Sequence, residues 1–110
     1  DKRRQAQGFP SNYIHSLDAA HCHMSLVEAS KHGLKNFCVI HDCYGSPASE
    51  LQRFIECVKQ SFFKIYSHNN LDNLYHQSVQ QLSDSKSLPT ALRMGSFDIT
   101  DVLTAPYIFT

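Results

Sequence analysis

The sequence has no net charge, no long apolar run and no signal for export. Ten basic residues balance ten acidic ones among 110, so overall charge gives no argument for binding nucleic acid or a membrane. No apolar stretch approaches the roughly 20 residues that span a bilayer. The basic, polar start also lacks the apolar segment of a signal peptide. We therefore expect a protein with no membrane association.

Cysteines are few and widely spaced. The chain has four, which form neither a CxxC pair nor a dense framework: Cys22, Cys38, Cys43 and Cys57. Free and often buried thiols are typical of a reducing compartment. The pattern therefore predicts an intracellular protein with unpaired cysteines.

Length and composition indicate one globular segment. The chain has the size of one small domain or of one piece of a larger protein, and 42% of its residues are hydrophobic while 18% are charged. Its first residue is Asp1 and not a methionine. We expect it to be cut from a longer protein.

Capping residues and apolar periodicity predict a first helix that begins late. Gly8 and Pro10 argue for an irregular arm over residues 1–15. Ser16 is the predicted cap of a helix that ends near Gly33. Its apolar stripe is predicted from helical spacing as Leu17, Ala20, Met24 and Val27.

Two further helices and a short tail follow. Ser46-Pro47 opens a strongly amphipathic helix with one apolar face: Leu51, Phe54, Ile55, Val58, Phe62 and Ile65. On this spacing we interpret Phe54, Phe62 and Phe63 as core residues, not as platforms for stacked bases. Asn69 or Asn70 caps the third helix. A loop over residues 83–95, a strand or turn at residues 96–98 and a helical stretch near residues 100–103 complete the chain.

Residues 37–42 form the predicted strand, because they are short, β-rich and bounded by polar residues and glycine. A single hairpin is only marginally stable alone. We therefore expect a fragment of a larger α+β fold whose other strands lie elsewhere.

Asp42 ends this apolar strand, beside His41. A carboxylate in that place is commonly a turn residue. A hairpin can also project such a carboxylate rigidly into a cleft, where it coordinates a hard cation such as Mg²⁺. From these residues alone both interpretations stay open.

Two stretches together resemble a known family. Residues 9–21, FPSNYIHSLDAAH, precede residues 41–45, HDCYG. The pair is similar to the C-terminal part of the bacteriophage- and mitochondrial-type single-subunit DNA-directed RNA polymerases, which carry a P-x-N-F/Y-I/V-H-S-x-D segment and then a strand ending in H-D-S/C. The matching residues are Pro10, Asn12, Tyr13, Ile14, His15, Ser16, Asp18, His21, His41, Asp42 and Cys43.

The resemblance implies a fold and an activity. The fold would be a mostly helical α+β fragment of a polymerase palm/fingers region, one unit over residues 1–110, with a β-hairpin carrying the catalytic Asp. The full-length protein would synthesise RNA by two-metal phosphoryl transfer with magnesium, Mg²⁺. Its partners would be the DNA template, the nascent RNA, ribonucleoside triphosphates and the remainder of the same polymerase chain.

The resemblance also implies roles for single residues. Asp42 matches the second catalytic aspartate, a metal ligand, and His41 the histidine that supports the hairpin near the primer end. His15 matches a histidine near the nascent base pair and the incoming nucleotide, and Cys43 a packed turn residue. Contacts to nucleic acid are expected from the basic start and the first motif: Lys2, Arg3, Arg4 and Asn12.

Parts of the family's active site have no counterpart in this chain. These are the first catalytic aspartate and the Lys- and Tyr-bearing helix that binds the triphosphate. Asp18 is a poor substitute, because an Asp near a helix start commonly caps the helix. We therefore predict that this chain alone does not polymerise. For Phe109 two expectations stay open: a mobile terminus, or a place near the active site, where the family's C-terminal end folds back.

Two alternatives compete with this prediction. A pol I-type DNA polymerase also carries H-D in this motif, but typically with Glu where Cys43 stands here. A non-catalytic helical module, used for interaction or for zinc, would draw on the residues His15, Asp18, His21, Cys22 and His23. The source is open between phage, mitochondrion, plastid and linear plasmid, and the compartment between a mitochondrion and the cytoplasm of a phage-infected host.

Overall fold

The computed structural model describes residues 1–82 and 93–108. Along the chain they form α1 (Lys2–Lys31), β1 (Cys38–Ile40), β2 (Cys43–Gly45), α2 (Leu51–Tyr66), α3 (Asn70–Gln81) and α4 (Asp101–Thr104). A mostly helical chain with one small antiparallel hairpin is consistent with the predicted α+β class. No helix in these two ranges is both long enough and apolar enough to cross a membrane.

Helix α1 begins 14 residues before the predicted start at Ser16, so the irregular arm and the Ser16 cap were wrong. Asp1 is the cap, and its Oδ1 accepts a hydrogen bond from the Arg3 amide at 3.0 Å. Pro10 lies inside the helix, where a proline costs roughly 3 kcal/mol. A tertiary contact opposes that cost, because the Tyr13 hydroxyl donates to the Asn70 carbonyl oxygen at 2.8 Å.

The face that α1 buries also differs from the predicted stripe. The buried residues are His21, Ser25 and Ala29, four residues apart, whereas Met24 and Val27 are 37% and 53% exposed. Apolar periodicity failed here because two of the three buried side chains are polar. The small side chains of Ser25 and Ala29 let α2 approach α1 closely.

Helix α2 supplies most of the core, as its periodicity predicted. Phe54, Val58 and Ile65 are buried, and Phe62 is half-buried. Leu51 is 42% exposed and is the first helical residue, so the predicted start at Ser46-Pro47 was four residues too early. Partly buried side chains from other elements pack against this core: Leu26, Phe37, Tyr44 and Ile108.

The predicted strand is the first arm of a hairpin. β1 and β2 pair antiparallel in the register Cys38–Gly45, Val39–Tyr44 and Ile40–Cys43. Residues 41 and 42 therefore form the turn that joins the two strands. The Val39–Tyr44 pair faces the core and is half-buried, whereas Ile40 on the other face is 69% exposed.

The remaining elements agree with the predictions within one or two residues. Asn69 caps α3, and its side chain accepts from the Asp72 amide at 3.1 Å. Near residues 96–98 the structure has a turn, in which Asp98 accepts from the Thr100 amide at 2.9 Å. The short helix α4 follows. Most of the predicted loop, at residues 83–92, and Phe109 lie outside the described residues.

Candidate active site

Asp42 lies at the tip of the hairpin, and its side chain is exposed. The Cys43 thiol is 3.9 Å from its Oδ1. Within residues 1–82 and 93–108, no lysine, arginine or histidine forms an ion pair with this carboxylate. Both oxygens of Asp42 are therefore available to a ligand. Cys43 is exposed as well, so the expectation of a packed turn residue was wrong.

His41 precedes Asp42 and has a positive φ of 55°. It is the first of the two residues that connect Ile40 to Cys43, and a positive φ at that position alone is the pattern of a type II′ hairpin turn. Glycine is usual there, and histidine is one of the few other residues that tolerate this region. The backbone before Asp42 is thus held in an uncommon conformation, as often occurs at functional sites.

A first cleft of about 740 Å³ separates the hairpin from α1. His15 and His21 line it from the helix, and His41, Asp42 and Tyr44 line it from the hairpin. His15 and His41 are 26 residues apart in the sequence, and the fold brings them and the Asp42 carboxylate to one opening.

A second cleft of about 860 Å³ also borders Asp42. Its walls are Asp42 and Cys43, the start of α2 and the C-terminal segment at residues 106–108. Lys59 of α2 holds this segment by donating to the Ala105 carbonyl oxygen, and Ile108 packs on the core. Residues 106–108 thus lie beside the hairpin.

Asp18 lines both clefts. Sequence reasoning dismissed it as a helix cap, but Asp18 lies in the middle of α1, so that reason was wrong. Its carboxylate is exposed and raises the pKa of both Tyr44 and Tyr66, after the larger effect of their burial.

The predicted nucleic-acid contacts lie apart from the clefts. Lys2, Arg3 and Arg4 occupy the exposed first turn of α1, and Arg4 is 3.9 Å from the carboxylate of Asp1. Along the helix axis Arg4 is roughly 16 Å from His15. Asn12 is exposed and lies outside both cleft linings. Lys2, Arg3 and Arg4 thus lie at the start of the helix, whereas Asn12 lies one turn before His15, about 4.5 Å away along the axis.

A buried polar group supports the hairpin, and sequence reasoning missed it. The Nε2 atom of His21 is 3.0 Å from the Val58 carbonyl oxygen, and Ser25 Oγ donates to the His21 carbonyl oxygen at 2.8 Å. The Tyr44 side chain lies close to Ser25 and Cys22. Burial, and then the neighbouring Cys22, raises the pKa of Tyr44 to about 12. In the sequence, the only indication of this support was that His21 matches a residue of the family's first motif.

A charged cluster joins α1 to α2 outside the two clefts. Glu28 Oε2 is 3.1 Å from Lys64 Nζ and 3.8 Å from Lys31 Nζ, and its Oε1 is 3.6 Å from His32 Nε2. The hydrogen bond from Lys64 is the main reason why the pKa of Glu28 lies below its ordinary value. This cluster stabilises the helix pair and lies outside both clefts.

Metal-ligating side chains do not cluster in the described part of the chain. No three His, Cys, Asp or Glu residues there are arranged to hold an ion together, which gives no support to the zinc site considered for residues 15–23. Asp42 can contribute one carboxylate to a shared site. The geometry thus defines a class of site: an exposed carboxylate on a hairpin tip, facing a helix that presents histidines.

Comparison with known proteins gives the family. The profile of the family described as DNA-dependent RNA polymerase matches residues 1–93. DNA-directed RNA polymerase 1A of Nicotiana tabacum is 34% identical over 107 residues, which are 97% of this chain and 68% of the relative. The mitochondrial DNA-directed RNA polymerase 1 of Nicotiana sylvestris is also 34% identical over 97% of this chain, and the chloroplastic/mitochondrial polymerase 2B of Nicotiana tabacum 35%. The chain belongs to the DNA-dependent RNA polymerase family.

The share of a relative's length that this chain covers differs widely between relatives. This chain spans 10% of the length of the mitochondrial and chloroplastic/mitochondrial polymerases named above. No solved structure matches it.

Proposed function

We propose that this chain is the C-terminal palm and fingers portion of a DNA-directed RNA polymerase, and that Asp42 is one of its metal-binding catalytic carboxylates. The full-length protein would join ribonucleoside triphosphates on a DNA template. The observation that carries the proposal is the common cleft of His15, His41 and Asp42 in a chain of this family.

Asp42 can supply one of the oxygen ligands of a magnesium ion, with the other ligands coming from elsewhere. Mg²⁺ takes oxygen ligands and is commonly bound by one or two protein carboxylates, waters and substrate phosphates. Asp42 is an exposed carboxylate with both oxygens accessible, on a turn whose backbone is constrained at His41. A second carboxylate would come from another part of the polymerase chain. When bound, the metal would neutralise charge on the reacting phosphate.

The chain's own residues would position the reactants. Phosphoryl transfer requires mainly alignment and charge neutralisation from a protein. Asp42 would help to hold the metal ion near the reacting phosphate, while His15 and His41 would contact the nascent base pair and the primer end from the two walls of the first cleft. The exposed basic turn at residues 2–4 would contact phosphates of the nucleic acid farther from the chemistry.

The competing functions find less support. The family match and the names of the relatives favour RNA synthesis over a pol I-type DNA polymerase. A non-catalytic helical module would leave the matched motifs unexplained. The relatives named as mitochondrial or chloroplastic and the four free cysteines support an intracellular, reducing compartment.

Primer extension by the full-length protein tests the assignment. Wild type, Asp42→Asn and the control Glu56→Gln would be compared on a DNA template, with ribonucleotides and deoxyribonucleotides in separate reactions. Asp42→Asn keeps the shape of the side chain and removes its charge. Loss of a metal ligand is worth several kcal/mol, so we expect ribonucleotide incorporation to fall about 10²- to 10³-fold. Glu56 is exposed on α2 outside both clefts and should be silent.

Each other outcome has a definite meaning. Full activity of Asp42→Asn would reduce Asp42 to a turn residue and end the site assignment. A preference for deoxyribonucleotides would keep the chemistry and contradict the substrate class. Template-dependent synthesis by residues 1–110 alone would contradict the proposal that essential parts lie elsewhere in the chain.

A further inference from the structure

The hairpin cannot fix the position of Asp42 by itself. Each strand has only three residues, and an isolated two-stranded hairpin is marginally stable in water. Its outer face is exposed at Cys38, Ile40 and Cys43. The place of Asp42 relative to α1 therefore depends on what the inner pair, Val39 and Tyr44, packs against.

His21 lies where α1, β2 and α2 meet. Its side chain is almost fully buried, with 6% exposed. The ring centroid is 6.1 Å from that of Tyr44 on β2 and 5.4 Å from that of Phe62 on α2, the latter edge to face. One imidazole thus contacts the strand that follows Asp42 and the helix beneath it.

The hydrogen bond of His21 defines its chemical role. Nε2 lies 3.0 Å from the carbonyl oxygen of Val58, and a carbonyl oxygen only accepts, so Nε2 carries the hydrogen. A buried polar side chain is costly unless it is hydrogen-bonded, and this bond satisfies it while tying α1 to the middle of α2. A leucine could fill the space, but it could not make this bond.

We propose that His21 is a positioning residue, which sets the distance between α1 and the hairpin so that Asp42 faces His15 across the first cleft. The inference rests on the proposed function, because it assigns a purpose to that alignment. His21 acts through Tyr44 and Val58, not on the reactants. Misplacement of a reacting group by about 1 Å can cost roughly 10²-fold in rate.

Three variants of the full-length protein distinguish the contribution of the His21 ring from that of its N–H donor. His21→Leu removes both the ring and the donor, His21→Phe keeps a ring, and His21→Gln restores an N–H donor. His68→Leu is the control, since His68 is exposed and lies two residues beyond the end of α2. Steady-state primer extension gives kcat and KM for ribonucleotides, and amide hydrogen exchange over residues 38–45 reports on the hairpin without any activity.

The expected pattern is specific to positioning. For His21→Leu we expect kcat to fall about 10- to 100-fold, KM to stay within about threefold and exchange over residues 38–45 to quicken about tenfold. His21→Gln should recover a large part of kcat and keep the pH profile of the wild type, because the donor and not the titration of the ring is required. His21→Phe should lie between these two.

Contrary results separate this inference from the proposed function. If the wild type makes RNA and Asp42→Asn does not, but His21→Leu and His21→Phe match the control in kcat and exchange, the positioning role is wrong and the function stands. If His21→Gln is as inactive as His21→Leu and its pH profile changes, the imidazole takes part in the chemistry, which also overturns the inference. If the wild type makes no RNA, the function fails, while the exchange data still decide whether His21 holds the hairpin. Should His21→Leu not fold, the other two variants suffice.

Discussion

The turn residue His41 allows backbone strain and side-chain chemistry to be separated. Its φ of 55° costs a residue with a Cβ roughly 1–2 kcal/mol relative to glycine. Glycine loses more conformational freedom on ordering, which offsets roughly 0.5–1 kcal/mol of that advantage. Taking the middle of each range, His41→Gly should therefore hold the hairpin more firmly than His41→Ala, by about 0.5–1 kcal/mol. Neither variant carries the imidazole that lines the first cleft.

Two assays on the full-length protein test this reasoning. An advantage of about 0.5–1 kcal/mol corresponds to roughly two- to fivefold slower amide exchange over residues 38–45 in His41→Gly than in His41→Ala. Because both variants lack the imidazole, we expect RNA synthesis to fall by a similar factor in each. Equal or faster exchange in His41→Gly would refute the strain argument. If His41→Gly makes RNA at the wild-type rate and His41→Ala does not, the His41 side chain serves only the turn.

Two further predictions concern the supports of the site. The pKa of Glu28 is lowered in the folded protein, mainly by Lys64, so its stabilising effect is present above its ordinary pKa of 4.5 and is lost as the pH falls through the folded-state value. Glu28→Gln should therefore reduce the difference between the Tm at pH 7 and the Tm at a pH below 4.5, whereas Glu56→Gln should leave that difference as it is. An unchanged difference in Glu28→Gln would rule out a contribution of the Glu28 carboxylate to stability. Lys59→Met removes the donor to the Ala105 carbonyl oxygen and should speed amide exchange over residues 101–108 several-fold while residues 38–45 stay unchanged. Unaltered exchange in the tail would mean that packing of the segment alone holds it.

Where local chemistry and burial agree, the sequence predicted the structure well. Helix α2 has a continuous apolar face, and Phe54 is 1% exposed in the core as expected. Asn69 caps α3 because its side chain satisfies an orphan amide at the helix start. The hairpin followed from a short β-rich run that ends in polar residues and glycine. In each case one local rule and the tertiary packing favour the same conformation.

The start of α1 could not be predicted in this way. Gly8 and Pro10 both disfavour a helix, and local rules contain nothing that outweighs them. One contact that favours the helix is distant in sequence: Tyr13 donates to the carbonyl oxygen of Asn70, 57 residues away. Only the fold reveals that contact, and with it the mid-helix position of Asp18 between the two clefts.

The buried face of α1 was missed for a reason that bears on the site itself. A search for apolar periodicity finds surfaces that the hydrophobic effect buries, yet His21 and Ser25 are buried because their hydrogen bonds are satisfied. Such bonds have defined lengths and directions, whereas apolar contacts tolerate sliding. A helix that must hold a hairpin tip at a fixed distance from His15 gains from polar contacts at that interface. The proposed positioning role of His21 therefore falls on a residue that hydrophobic patterning does not reveal.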